Sequence, residues 1–406
     1  MLPRLLLILA LAFAGAVRAA EPLLILVSID AFRWDFLEQY AAEAPHLRVL
    51  AAEGVRAGHL IPCFPSSTFP NHYSIATGLR PEHHGIIYNE FRDPVMKAVF
   101  MKSVGSIDGR WWGGEPIWCT AVKHGLRSAC MFWPGSEAEI GGVRPTCYRP
   151  FDPGISAAAR VDVLLGWLDA PTEMRPSFCT LYFDAVDRAG HAAGPDSREV
   201  GAAVRDVDSA IARLLAGLAA RGFRETANLV IVSDHGLTAV GEGHVIPLDD
   251  LVDLKSVEVE FLGTQAGLRP HTGTAGELAA AIKKKAPAHV RVCLREEMPE
   301  PLHYRDNRRI PPVLLLADEG WLLSTREAME RRPQRERGTH GYDPALRDMG
   351  GVFIARGPAF RSGAMIPPAE NIHIYNLLCR ILGLKPAKND GDDRLIRAAL
   401  LPAPAR

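Results

Sequence analysis

Four short apolar runs set the terms on which this chain must fold: Leu23 to Ile29, Ser177 to Phe183, Leu229 to Ser233 and Val352 to Ala355. Each is nearly continuous rather than alternating, so each has apolar side chains on both faces. A strand of that kind has to be covered on both sides, as in a parallel sheet. Amphipathic helical patterns supply the cover. Glu199 to Arg221 is one, ended by Gly222, and Ile372 to Leu382 is another, ended by Gly383. The alternation predicts an α/β fold with a mostly parallel central sheet flanked by helices.

The 406 residues would allow two or three domains by length alone. We find no repeat and no low-complexity linker, which favours a single domain over residues 21–406. The stretch from about 238 to 337 reads differently. It has short strands (Val257 to Leu262, Val290 to Leu294, Val313 to Leu316) and a helix, Glu277 to Lys285. It is expected to be a small α+β insertion, with Arg331 to Arg337 as a solvated loop. Met1 to Ala20 has Arg4, then the apolar stretch Leu5 to Ala14, then small residues at Val17 to Ala19. That is the pattern of a signal peptide, too short to span a bilayer. The mature protein is expected to be exported, periplasmic or secreted, without a membrane span. Seven cysteines without a Cys-x-x-Cys pair argue against a zinc knuckle; their pairing is open, and an odd count leaves at least one unpaired. With 46 basic and 47 acidic residues there is no global field to gather nucleic acid, so an anionic substrate needs a local site.

Polar residues cluster where the apolar runs end. Asp30 follows the first, Asp187 and His191 the second, and Asp234 and His235 the third. His340, in Gly338-Thr339-His340-Gly341, comes shortly before the fourth. Ligands of open α/β sheets bind at the carboxyl ends of strands. An Asp after a strand is often only a helix cap. Three Asp and three His arriving separately at one edge point instead to a metal site. Ser66-Ser67-Thr68-Phe69-Pro70-Asn71, ahead of a predicted helix from Asn71 to Ala76, offers hydroxyls beside free backbone N–H groups. Such groups suit a phosphoryl oxygen, and a metal can activate a hydroxyl there.

At this point the sequence resembles the nucleotide pyrophosphatase/phosphodiesterase family of the alkaline phosphatase superfamily, as an exported bacterial member. The matching segments are Val27 to Arg33, Thr68 to Tyr73, Ala76 to Ile86, Trp111 to Trp118, Asp187 to Pro195, Ser233 to Gly236 and Gly338 to Asp343. The resemblance implies two zinc ions per chain, one held by Asp187, His191 and His340, the other by Asp30, Asp234, His235 and Thr68. It implies Thr68 as nucleophile, a phospho-threonine intermediate and release of a nucleoside 5′-monophosphate. Asn89 matches a donor to a phosphate oxygen. Phe69 matches one face of a nucleobase slot, Phe151 its aromatic partner, and Tyr182 a further aromatic of that pocket. The implied substrate is a small nucleotide or other phosphodiester; specific nucleic-acid binding is not expected.

Three rivals remain at this stage. A sulfatase would need Cys-x-Pro-x-Arg, and Cys63-Phe64-Pro65-Ser66-Ser67 has Ser67 in place of Arg. A phosphate monoesterase would need an added cation for its second charge, for which Arg92 is a candidate. A non-catalytic binding protein would be expected to have lost a ligand or the nucleophile. His72, His83 and His84 lie near the site and read either as supporting groups behind the ligands or, preferably, as structural; Trp111, Trp112 and Trp118 read as core, and Asp343 either as an orienting group or as an Asx-turn before Pro344.

Overall fold

Leu23–Ile29 forms a strand buried at all seven positions. Its odd-numbered residues feed one apolar cluster, its Leu24 and Leu26 another. The computed structural model describes residues 23–102, 105–331 and 336–402. The expected signal peptide and most of the Arg-rich loop lie outside the described residues.

An eight-stranded sheet runs, in spatial order, Ala364–Ile366, Val55–Ala57, Phe353–Arg356, Ala227–Val232, Leu23–Ile29, Phe178–Phe183, Ser128–Met131 and Cys147–Arg149. Seven strands are mutually parallel. Phe353–Arg356 is the exception, antiparallel to both of its neighbours. The helices Pro45–Glu53, Ala157–Leu168 and Arg198–Ala220 cover one face. Thr68–Thr77, Ile117–Lys123 and Ile374–Ile381 cover the other. The architecture is the mostly parallel α/β sandwich expected of the four apolar runs. Four of the eight strands have three or four residues each and left no comparable apolar run in the sequence.

Residues 257–317 build a separate antiparallel sheet in the order Val257–Phe261, Gln265–Pro270, Val313–Ala317, Val290–Leu294, with its own apolar cluster. The helix here spans Ala275–Lys283, two residues earlier than expected. Thr274 accepts from the Glu277 N–H while the Glu277 side chain accepts from the Thr274 N–H, a reciprocal cap that fixes the start. All seven cysteines are free thiols, and Cys179 is buried in its strand. Among the described residues no helix is long and apolar enough to cross a membrane.

Candidate metal and phosphoryl-transfer site

The strand ends deliver their polar residues to one edge. Asp30 directly follows Leu23–Ile29, and its N–H still pairs with the Phe183 carbonyl at 2.9 Å. Ala31 then takes φ 55°, a left-handed conformation costly for a residue with a side chain. The turn brings the Phe32 N–H to Ser233 Oγ at 2.9 Å, beside Asp234. Asp187 and His191 sit one turn apart on the helix Ala185–Ala193, so both side chains face the same way. Gly236 closes the Asp234-His235 turn against the 348–350 loop; a β-carbon on it would lie 2.1 Å from the Asp348 carbonyl oxygen. His340 arrives by a different route. Because Phe353–Arg356 runs against its neighbours, the chain leading into it lies at the edge where the parallel strands end. That is how a residue ahead of a strand joins residues that follow strands.

The three histidines are oriented alike. His191 Nδ1 lies 2.9 Å from the Gly338 carbonyl, His235 Nδ1 2.9 Å from the Gly236 carbonyl, and His340 Nδ1 2.8 Å from the Ser66 carbonyl. A carbonyl only accepts, so each Nδ1 carries the hydrogen and each Nε2 is left as a lone-pair donor. The Nε2 atoms point at carboxylates. His191 and His340 lie 3.3 and 3.7 Å from Asp187 Oδ1. His235 lies 3.5 Å from Asp30 Oδ1 and 3.0 Å from Asp234 Oδ2. Those three carboxylate oxygens are buried and have no hydrogen-bond partner. Ligand atoms about 2 Å from a tetrahedral ion are roughly 3.3 Å apart, so the spacing fits a shared cation.

Electrostatics fit as well. Burial, then Asp234 and Asp187, push Asp30 well above the usual carboxylate range. Burial opposes a charged His191, but Asp187 overrides it and lifts the imidazole to about 9. Burial and the neighbouring His235 press His340 down to about 3. Without an ion a proton on His191 offsets part of the charge of the three carboxylates; divalent cations on the Nε2 lone pairs would take its place. Distance alone groups Asp187-His191-His340 and Asp30-Asp187-His235 as sets able to hold an ion.

Thr68 Oγ1 lies 3.3 Å from His235 Nε2. Thr68 is the first residue of its helix, three positions earlier than the expected start at Asn71. Ser67 is extended and makes no side-chain cap, which keeps the helix N-terminus open. Asn89 Oδ1 accepts the Phe69 N–H at 2.9 Å, so its amide NH₂ is turned outward as a donor. Phe69 rests on Phe100 and Trp112, which is core, as are Trp111 and Trp118. Phe151 is 46 % exposed and meets Tyr182 edge-on at 6.0 Å. Tyr182 itself is buried, and its hydroxyl donates to Asp30 Oδ2 at 2.6 Å. Its polar end therefore serves the Asp30 carboxylate and only its ring borders the expected base slot.

Cys63 is buried with its thiol on Asn371, and burial pushes that thiol up to about 11. It has no place beside the carboxylates, as a sulfatase residue would require. Arg92 is paired with Glu258 at 3.2 Å. Asp343 accepts the Ala345 N–H, an Asx-turn. His84 is buried between Ser74 and the Ile86 N–H, its charged form suppressed by burial. His72 is different: it stands 3.2 Å from Asp234, inside the site rather than apart from it.

The likenesses to known proteins agree with this geometry. Residues 24–343 match the family described as Type I phosphodiesterase / nucleotide pyrophosphatase. Rat ectonucleotide pyrophosphatase/phosphodiesterase family member 3 is 35 % identical over 384 residues, covering 91 % of this chain and 43 % of the rat protein. A venom phosphodiesterase of Crotalus durissus collilineatus is 36 % identical, covering 91 % of this chain and 45 % of its own. The chain thus spans less than half the length of these relatives, which are vertebrate proteins and lend no support to a bacterial origin. The solved structure of murine ectonucleotide pyrophosphatase/phosphodiesterase 5 superposes with a TM-score of 0.88 at 32 % identity, over 94 % of this chain and 100 % of that one. A second structure of it, described as inactive through a threonine-to-alanine substitution and in complex with AMP, is equally similar. On the family match, the identity and the shared fold, this chain belongs to the type I phosphodiesterase / nucleotide pyrophosphatase family.

Proposed function

We propose that this chain is an exported two-zinc phosphodiesterase, periplasmic or secreted. It would hydrolyse nucleotide phosphodiester or pyrophosphate bonds to nucleoside 5′-monophosphates through a phospho-threonine intermediate. Residues 21–406 would act as one catalytic unit, with about 238–337 inserted in it. One observation carries the reading: three orphaned carboxylate oxygens and three lone-pair Nε2 atoms converge beside the hydroxyl of Thr68. Asp187, His191 and His340 would hold one ion; Asp30, Asp234, His235 and Thr68 the other. Bound there, divalent cations lower the pKa of a coordinated hydroxyl and screen phosphoryl charge.

The chain's own groups do the rest. Thr68 Oγ1 forms a bond to phosphorus as the bond to the leaving oxygen breaks. Water then attacks the same phosphorus, the Thr68 ester opens, and the hydroxyl regains a proton. Asn89 and the Thr68 N–H donate to a non-bridging oxygen whose charge changes during transfer. Phe69 and Phe151 stack on the base, a contribution of about 1–3 kcal/mol by analogy with other base–aromatic contacts. The pairing of Arg92 with Glu258 favours a diester over a monoester, because it occupies the one cation the sequence offered for a monoester's second charge. The murine relative described as inactive through a threonine change lends support to a threonine nucleophile, and its bound AMP to a nucleotide product.

Turnover of p-nitrophenyl thymidine monophosphate is expected to exceed that of p-nitrophenyl phosphate. Thr68→Ala is expected to abolish hydrolysis while zinc content by mass spectrometry stays close to two per chain. Faster monoester turnover would replace this reading with a phosphomonoesterase. Undiminished hydrolysis by Thr68→Ala would remove the nucleophile.

A further inference from the structure

His72 lies fully buried one helical turn after Thr68, and with Asp30 and Asp234 it forms a third group close enough to hold an ion. Its hydrogen bonds argue against that use. Nδ1 lies 2.9 Å from the Thr68 carbonyl oxygen, an atom that only accepts, so Nδ1 carries a hydrogen and has no lone pair for a metal. Nε2 lies 2.8 Å from Ser28 Oγ, which can donate to it. One neutral tautomer therefore satisfies both hydrogen bonds, its single Nδ1–H going to the Thr68 carbonyl. In it the Nδ1–H edge is turned toward Asp234 Oδ2, 3.2 Å away.

The ring is also held against rotation. Trp133 meets it edge-on at 5.0 Å and Tyr182 at 5.1 Å. Trp133 Nε1 donates to the His72 carbonyl at 3.0 Å, fixing the backbone beneath. Tyr182, which also packs on this ring, donates to Asp30. His72 thus ties together three separate pieces of chain: Ser28 on the first strand, Thr68 at the helix start, and Asp234 after the third.

We propose that His72 is a positioning residue for the second cation set and not a ligand: its Nδ1–H holds the Thr68 backbone and turns a positive edge toward Asp234 Oδ2. This rests on the two-cation reading above. Outer-shell partners of this kind typically carry about 10–100-fold in metal affinity or activity.

Two substitutions separate the ring nitrogens: His72→Asn places an N–H near the position of Nδ1, His72→Gln near that of Nε2. Zinc affinity is measured by chelator competition, alongside kcat and KM for p-nitrophenyl thymidine monophosphate. His72→Leu and His72→Gln are expected to lose about 10–100-fold in affinity for one of two zinc ions, with kcat falling more than KM changes. His72→Asn is expected to recover most of both. Recovery by Gln and not Asn would overturn the proposal, as would a Leu variant that keeps zinc affinity and loses only thermal stability. If His72→Leu does not fold, Ser28→Ala carries the test: weaker zinc binding in the same direction is expected, and unchanged affinity overturns it. A wild-type chain that takes up no zinc sinks the two-cation reading itself. A wild type with two tight zinc ions and undiminished variants sinks His72 alone.

Discussion

Asn89 shows how much a single amide can be asked to do. Its carbonyl end is committed to the Phe69 N–H, which fixes the side chain beside the helix N-terminus and leaves only the NH₂ free. Asn89→Ala is expected to lower kcat by about 10²–10³-fold, the usual loss for one transition-state donor, with the fold retained. Steady-state kinetics beside circular dichroism would show it; turnover near wild type would take Asn89 out of the reaction. At this scale the sequence was readable where a polar residue follows an apolar run, directly as with Asp30 and Asp234 or within one helical turn as with Asp187. His72 was legible only as a histidine near the site, structural or supporting, without its partners. Its meaning depends on sharing a helix turn with Thr68, and a helix predicted from Asn71 leaves Thr68 outside it. Tyr182 was legible as an aromatic but not as the partner of Asp30, because the two are joined only across neighbouring strands.

The hairpin Glu90–Asp93 and Ala98–Met101 follows directly on Asn89, so whatever anchors it steadies that residue. Its anchor is Asp93, fully buried, which accepts from Arg308 at 2.8 Å, from Arg309 at 2.8 Å and from the Val95 and Met96 N–H groups. Arg309 also donates to the Gly85 and Trp111 carbonyls, and its guanidinium lies over Phe91 and Trp111. Asp93→Ala strands a buried guanidinium and is expected to cost about 3–5 kcal/mol in urea unfolding. Burial alone would raise Asp93, but the two arginines hold it well below the usual range. A depressed carboxylate stabilises the fold above its unfolded value of about 3.9, and that contribution drains away as the pH falls below it. Asp93→Asn is therefore expected to flatten the acid side of the stability profile below about pH 4. An unchanged slope would mean another group carries it.

Across the whole molecule, the groups assembled at the site come from positions 30 to 340, and the sheet that seats them is closed late in the chain. Phe353–Arg356 fits between Val55–Ala57 and Ala227–Val232, and without it both of those strands face an open edge. A chain cut after residue 348 keeps all seven residues assigned to the two ions yet is expected neither to fold nor to bind zinc, as judged by circular dichroism and metal content. A folded, zinc-loaded fragment of that length would contradict it. The parallel sheet was legible because doubly covered strands need apolar residues throughout. The reversal was not, since a buried strand looks the same in either direction.

That reversal has a consequence in time. Pairing residues so remote in sequence is slow, because the closure entropy is spent before the contacts form. Phe353–Arg356 also follows, in the sequence, every residue proposed to hold the two ions. All seven residues proposed at the site, Thr68 among them, can therefore be made before the strand that closes the sheet over them. The proposed site is then expected to assemble in one event, when that interior strand takes its slot between Val55–Ala57 and Ala227–Val232.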